Sequence, residues 1–251
     1  MSETALHQAP LMPHLLVEGL NRYNDEPCLF LGDKVASYRE VREQTSQLVQ
    51  ALQSRGLGVG SRIAIISANR PEVLSNIAAM QLNGCIGTPL HPLGSVDDHA
   101  YVLEAAEIDT LVFDPTVFQE VAAALRERVP GLKNLLAFGP TEVGEDYLAL
   151  AAGFEPQALV APEIAPEDVA SVNFTGGTTG KPKGVMSPHR VSAYMTQIQM
   201  AEWEVPEELR MLIATPLSHA AAAFFIPVLQ RGGAFYVMQG FSPDDFFDMV
   251  R

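Results

Sequence analysis

Residues 173–185 read Asn-Phe-Thr-Gly-Gly-Thr-Thr-Gly-Lys-Pro-Lys-Gly-Val, and an apolar run over residues 169–175 predicts a strand that leads into them. The glycines allow backbone N–H groups to approach an anion with no side chain in the way. The threonine hydroxyls add short hydrogen-bond donors, and the lysines add charge that can neutralise phosphates. The stretch therefore predicts a loop that binds the polyphosphate of a nucleoside triphosphate.

Two common phosphate-binding motifs are excluded by the same residues. A Walker A loop needs serine or threonine after its Gly-Lys pair, whereas Pro182 follows Lys181 here. A dinucleotide fingerprint needs a helix to open at this point, and Pro182 would break that helix. Composition alone also allows an ordinary surface hairpin with turn residues, and this alternative stays open.

Short apolar runs and amphipathic stretches alternate on both sides of this loop. The apolar runs predict strands over residues 62–66, 86–90, 110–113, 135–138, 211–215 and 234–238. The amphipathic stretches predict helices over residues 38–54, 69–83 with Asn69 as the cap, 96–106, 117–129, 191–201 and 220–230. Residues 28–31 and 34–37 predict a hairpin, and the prolines of residues 155–166 predict a connector. The order predicts an α/β fold with mainly parallel sheets and flanking helices.

Composition and charge exclude several classes of function. The 251 residues carry a formal net charge of −14, and 47% are hydrophobic, which is typical of a folded globular chain. No cluster of Lys or Arg suggests a nucleic-acid face, and an acidic surface repels phosphate backbones. Cys28 and Cys85 lie in apolar runs and are predicted to be buried free thiols. The longest apolar run, residues 220–229, is too short for a transmembrane segment, and the N-terminus lacks a signal-peptide pattern, so we expect a cytoplasmic protein.

The stretch 174–184 resembles the phosphate-binding loop of the adenylate-forming superfamily, whose usual form is Tyr/Phe-Thr-Ser-Gly-Thr-Thr-Gly-x-Pro-Lys-Gly. Every fixed position matches except one, where Gly176 replaces the usual serine. This change removes one hydroxyl donor and leaves the backbone N–H. Residues 37–41, 56–66 and 79–92 are similar to the opening pattern of the family, and residues 216–219 resemble a second motif that places an aromatic residue or histidine near the bound carboxylate.

The resemblance implies an acyl-CoA synthetase of the fatty-acid–CoA ligase type, which uses ATP, Mg²⁺ and coenzyme A. A carboxylate attacks the α-phosphorus of ATP to form an acyl adenylate, and a thiol then takes the acyl group. The family assigns catalytic roles to the positions of Lys183, Thr178 and His219, and no metal ligand is assigned. The positions implied to bind the nucleotide are Thr175, Gly176, Gly177, Thr178, Thr179, Gly180, Lys181 and Lys183. Lys181 occupies the variable position of the motif, so a solvated side chain is an equal alternative there.

The second motif also indicates a class of substrate. Members of the superfamily that activate amino acids typically carry an acidic residue in this motif, which pairs with the substrate ammonium. Residues 217–225 contain no Asp or Glu, so an ammonium there would lose its hydration without gaining a partner. We therefore expect a hydrophobic carboxylic acid, with fatty acids first and aryl or sterol-derived acids as alternatives. An enzyme that passes the acyl group to a carrier protein, and a non-catalytic nucleotide-binding fragment, remain open as other functions.

The family resemblance also implies the architecture. It implies the N-terminal part of the adenylate-forming large domain, with two stacked sheets and a partial small β-barrel. Residues 242–245 predict a helix start close to Arg251, and the later family motifs do not occur in residues 1–251. We therefore expect an incomplete adenylation domain that lacks the C-terminal domain and has no turnover alone. His91 and His99 receive no role from their spacing, and His189 is predicted to be structural near a helix start.

Overall fold

The computed structural model describes residues 9–175 and 181–250, and of Ala220 only the backbone. The helices are α1 (Met12–Arg22), α2 (Tyr38–Ser54), α3 (Pro71–Leu82), α4 (Val96–Ala105), α5 (Pro115–Arg128), α6 (Tyr147–Ala152), α7 (His189–Glu202), α8 (Phe225–Gln230) and α9 (Pro243–Val250), with a 3-10 turn at Ala220–Phe224. The strands are β1 (Pro27–Leu31), β2 (Lys34–Ser37), β3 (Arg62–Ile66), β4 (Ile86–Pro89), β5 (Thr110–Phe113), β6 (Asn134–Ala137), β7 (Glu145–Asp146), β8 (Val169–Thr175), β9 (Lys183–Pro188), β10 (Arg210–Ile213) and β11 (Ala234–Val237). The predicted α/β class is confirmed.

The larger sheet has the strand order β7-β6-β5-β3-β4-β8-β9, and all its pairs are parallel except β8–β9. Side chains of β3 alternate between two apolar clusters, because successive residues of a strand point to opposite faces. Ile63 and Ile65 pack with α2 and α3, whereas Ala64 and Ile66 pack with α4 and α5. Both faces of the sheet are therefore covered by helices, as parallel sheets require.

The smaller sheet has the order β10-β11-β1-β2. The predicted hairpin β1–β2 is confirmed, and Gly32 supplies its turn with a φ of 56°. β1 also pairs in parallel with β11, with Leu29 opposite Phe235. One apolar cluster joins residues of both sheets with α1, α2, α3 and α8, so the two sheets share a core.

Several element boundaries differ from the sequence predictions. α1, α6 and β9 were not predicted, and the helix predicted over residues 220–230 is divided into the 3-10 turn and α8. This division puts Pro227 in the first turn of α8, where its missing N–H breaks no helical hydrogen bond. Residues 155–165, within the predicted connector, form neither helix nor strand. They receive one hydrogen bond from Gln50 of α2 and give one to Ser46.

The prediction that Asn69 caps a helix is wrong. α3 begins at Pro71 with Arg70 as its N-cap, because proline favours the first helical position. The Asn69 amide instead donates to the carbonyls of Thr215, at 3.1 Å, and Met238, at 2.9 Å. Its oxygen accepts the backbone N–H of Leu217 at 2.8 Å. Asn69 thus joins the segment after β3 of the larger sheet to the ends of β10 and β11 in the smaller sheet.

Replacing Asn69 with alanine is expected to lower the free energy of unfolding by about 3 kcal/mol, since three hydrogen bonds are lost and their backbone partners are left unsatisfied. Chemical denaturation checks this value. Asn24→Ala is the matched control, because the Asn24 side chain accepts one exposed bond from Arg42, and its loss should cost less than about 0.5 kcal/mol. Equal losses in the two variants would contradict the bridging role.

Candidate active site

The glycine-rich stretch connects the antiparallel strands β8 and β9. Thr175 pairs with Lys183 at the last described rung of this hairpin, so both residues stand at the base of the loop. The predicted phosphate-binding positions Gly176, Gly177, Thr178, Thr179 and Gly180 lie outside the described residues. A hairpin is common to the phosphate-binding interpretation and to the surface-turn alternative, so the strands alone do not separate the two.

Tyr101 of α4 anchors the returning side of the loop. Its hydroxyl donates to the carbonyl of Pro182 at 3.1 Å, and the ammonium of Lys181 lies 5.2 Å from the centre of its ring. The Phe174 ring meets Tyr101 edge-on at a centroid distance of 6.4 Å. Sequence reasoning missed Tyr101, because 81 residues separate it from Pro182 and no local pattern marks the contact.

The two lysines of the loop differ in their surroundings. The Lys181 ammonium is engaged with the face of Tyr101, a cation–π contact that limits where it can move. The Lys183 side chain is exposed at the start of β9. Within residues 9–175 and 181–250, no carboxylate lies within ion-pair distance of Lys183. Its charge is therefore available to a ligand in the loop.

His219 lies in the turn that follows β10, and Asn69 holds this turn through the N–H of Leu217. The Ser218 hydroxyl lies 3.0 Å from Nδ1 of His219. Burial, and secondarily the nearby His91, lower the pKa of His219 below its ordinary value. The His219 ring is therefore neutral around pH 7 and can donate or accept a hydrogen bond without adding a full charge.

Two cavities meet at His219, which lines both of them together with Pro89. The first has a volume of about 390 Å³ and an apolar lining that includes Leu16, Met80, Met195, Ala222, Phe225 and Ile226. Among the described residues that line it there is no Asp, Glu, Lys or Arg. The second cavity, of about 380 Å³, extends towards Thr175 and Pro182 at the base of the glycine-rich loop. An uncharged cavity and a glycine-rich loop thus lie on two sides of one histidine.

The sequence matches a family model described as AMP-binding enzyme over residues 16–251. This chain belongs to the AMP-binding enzyme family. A fatty-acid ligase, the medium/long-chain-fatty-acid–CoA ligase FadD8 of Mycobacterium tuberculosis, is 45% identical over 244 residues, which are 95% of this chain and 43% of that protein. A feruloyl-CoA synthase of an Amycolatopsis species is 28% identical over 222 residues, or 88% of this chain and 42% of that protein.

Solved structures agree with the family assignment. The amide bond synthetase McbA from Marinactinospora thermotolerans superposes on this AMP-binding chain with a TM-score of 0.80 and 28% identity, covering 94% of this chain and 45% of that one. The chain spans less than half the length of each of these relatives. The family that residues 174–184 predicted is therefore confirmed.

The spacing of the other histidines in the sequence did not predict that any of them belongs to the site. The structure corrects this for His91, whose ring meets His219 edge-on at a centroid distance of 5.3 Å, and His99 also lines the second cavity. Burial lowers the pKa of His99, and its Nε2 has no partner among the described residues. His189 is the first residue of α7 and is buried, which lowers its pKa in the same way.

Two further observations concern the described residues, one on metal ligands and one on membrane-spanning helices. No three His, Cys, Asp or Glu side chains gather as a metal cage in the described part of the chain. In residues 9–175 and 181–250, no helix is long and apolar enough to cross a bilayer.

Proposed function

We propose that the protein containing this chain activates a hydrophobic carboxylic acid with ATP and then transfers the acyl group to coenzyme A. The observation that carries this proposal is the position of His219 between an uncharged cavity and the base of the glycine-rich loop. An acid whose body fills the first cavity would bring its carboxylate to His219. The triphosphate held at the loop would then lie on the other side of the same residue.

The residue roles follow from this arrangement. The loop backbone N–H groups and the hydroxyls of Thr175, Thr178 and Thr179 would hold the β- and γ-phosphates. Lys183 would stabilise the charge that develops on the departing pyrophosphate. Lys181 would help to hold the loop in place through its contact with the Tyr101 ring. Neutral His219 would donate a hydrogen bond to the carboxylate without withdrawing its charge. The protein contributes mainly position and electrostatic stabilisation, as in other phosphoryl-type reactions.

We also propose that Mg²⁺ enters with ATP. When bound, the ion would neutralise part of the phosphate charge, with phosphate oxygens and water as its ligands. Coenzyme A is the proposed acceptor because the relatives described above include two CoA ligases. We also propose a cytoplasmic location, which the two free, buried cysteines support.

The first cavity supports fatty acids as the substrate class. Its described lining has no charged side chain that could pair with an ammonium, and its methionine and alanine side chains suit an aliphatic chain. The 45% identity to FadD8, whose name specifies medium- and long-chain fatty acids, supports the same choice. Aryl acids are the second candidate, since the feruloyl-CoA synthase is also similar over most of the chain.

A substrate panel tests the proposed class. The ratio kcat/KM is expected to be highest for fatty acids, lower for aryl acids and lowest for α-amino acids, because an ammonium in the first cavity would be desolvated without a partner. The assay measures ATP–pyrophosphate exchange that depends on the added acid. A preference for any α-amino acid would contradict the assignment of the first cavity.

Two measurements separate the proposed enzyme from its alternatives. A protein without acid-dependent exchange would be a nucleotide-binding protein with no adenylating activity. Where exchange occurs, thioester formation with free coenzyme A is expected, and thioester formation only with a carrier-protein thiol would support the acyl-AMP ligase alternative.

A further inference from the structure

We propose that His91 is a positioning residue for His219, holding the His219 ring at the junction of the two cavities and keeping it uncharged beside the acid carboxylate. The inference rests on the proposed function, since it assumes that the carboxylate binds at His219. His91 is the second residue after β4, whereas His219 follows β10 of the other sheet. The two rings are far apart in the sequence, and only the folding of the two sheets brings them together.

The His91 ring is fixed by its own turn. The backbone N–H of Leu93 donates to Nδ1 of His91 at 3.2 Å, and the N–H of Gly94 donates to the His91 carbonyl at 2.8 Å. Because Nδ1 accepts a hydrogen bond, the neutral ring carries its proton on Nε2. One edge of this ring therefore faces the turn, and the rest can contact His219.

The His219 ring is held from two sides. The Ser218 hydroxyl lies 3.0 Å from its Nδ1, and the His91 ring packs against it with an interplanar angle of 77° and a centroid distance of 5.3 Å. When the Ser218 hydroxyl donates to Nδ1, the neutral His219 ring has its proton on Nε2. That nitrogen is left as the donor for a ligand at the junction of the cavities.

The groups around the pair favour a neutral His219. Burial lowers the pKa of His219 most, and the neighbouring His91 lowers it further. Asp98 and His99 line the second cavity as well, but the Asp98 carboxylate accepts bonds from the Ser95 N–H and hydroxyl. The described lining of the first cavity contributes no acidic or basic side chain other than His219.

A neutral His219 matters for the chemistry of the carboxylate. An imidazolium would form an ion pair with the acid, which stabilises the bound ground state and withdraws charge from the attacking oxygen. A neutral N–H orients the same oxygen and leaves its charge for attack on the α-phosphorus. His91 thus acts on the reaction through His219 and needs no contact with the substrate.

Titration of the His219 ring by NMR in the histidine-labelled protein tests this coupling without relying on activity. In His91→Asn the midpoint of His219 is expected to move to higher pH, because one cause of its lowered pKa is removed while burial remains. Asparagine can still accept the Leu93 N–H, so the turn is preserved. His14→Asn is the matched control, since Nδ1 of the exposed His14 likewise accepts a backbone N–H, that of Leu11, at 3.2 Å.

The inference is overturned if the midpoint does not rise in His91→Asn, or if it rises equally in His14→Asn. A kinetic measurement then tests the consequence for the reaction. In His91→Asn the acidic limb of the kcat profile is expected at higher pH, and below that limb both kcat and KM for the acid should fall. A limb that stays in place would also overturn the inference. Absence of acid-dependent exchange in the wild-type protein would instead overturn the proposed function.

Discussion

Replacing Lys183 with alanine is expected to lower kcat for acid activation by about 100-fold, which is typical for the loss of one group that stabilises a transition state. The Lys183 side chain is exposed at the base of the glycine-rich loop, with no carboxylate within ion-pair distance among the described residues. Its charge would meet the pyrophosphate as it departs. KM for the acid should change little, since the acid body binds in the first cavity.

Lys181→Ala is the matched control for this experiment. The Lys181 ammonium is already in contact with the Tyr101 ring, so its removal should affect kcat by less than about 10-fold. Steady-state kinetics of ATP–pyrophosphate exchange measures both variants. Wild-type kcat in Lys183→Ala would contradict the role assigned to Lys183. A greater loss in Lys181→Ala would show that the two lysines have the reverse roles.

Replacing Ala222 with phenylalanine is expected to change substrate selection. Ala222 is half-buried and lines the first cavity, so the larger side chain would occupy space that an acyl chain needs. One methylene group more or less in a hydrophobic pocket changes selectivity by about 10- to 200-fold. Because phenylalanine is larger than this, kcat/KM for long-chain acids should fall by roughly 100-fold. Short-chain acids should lose much less, because they do not extend into the blocked volume.

Ala201→Phe is the matched control for Ala222→Phe, because Ala201 is exposed on α7 and does not line the cavity. The comparison requires kcat/KM over a series of acids of increasing chain length. Equal losses for short and long acids in Ala222→Phe would indicate general misfolding or a different binding site. Unchanged selectivity would show that the acyl chain does not enter the first cavity.

Helices and strands were well predicted where a short stretch of sequence carries the signal. The strands β3, β5 and β6 are short apolar runs, and both faces of each are covered, so their hydrophobicity alone identifies them. The hairpin β1–β2 was predicted from the turn at Gly32. β9 was missed because its residues are largely exposed and lack an alternating pattern. α1 was missed because its N-cap residue is Leu11, whose side chain cannot cap a helix, and because its first turn has no acidic residue.

The site was predicted only in part, and Asn69 illustrates the reason. Its position before a helical pattern predicted a cap, yet its amide bonds to backbone groups that lie 146 and 169 residues away. Hydrogen bonds over such separations leave no periodic signal in the sequence. The same holds for the contact between Tyr101 and Pro182 and for the pair of His91 and His219.

The sequence by itself determined the family, through Phe174 and the unbroken run of glycine, threonine, lysine and proline at residues 175–184. It determined the α/β class through the alternation of strands and helices. These features are local, because a loop that binds phosphate needs its donors on adjacent residues. The pairing of β1 with β11, the bridge made by Asn69 and the meeting of His91 with His219 depend on tertiary packing. Each of them joins segments that come together only when both sheets bury their apolar faces in a shared core.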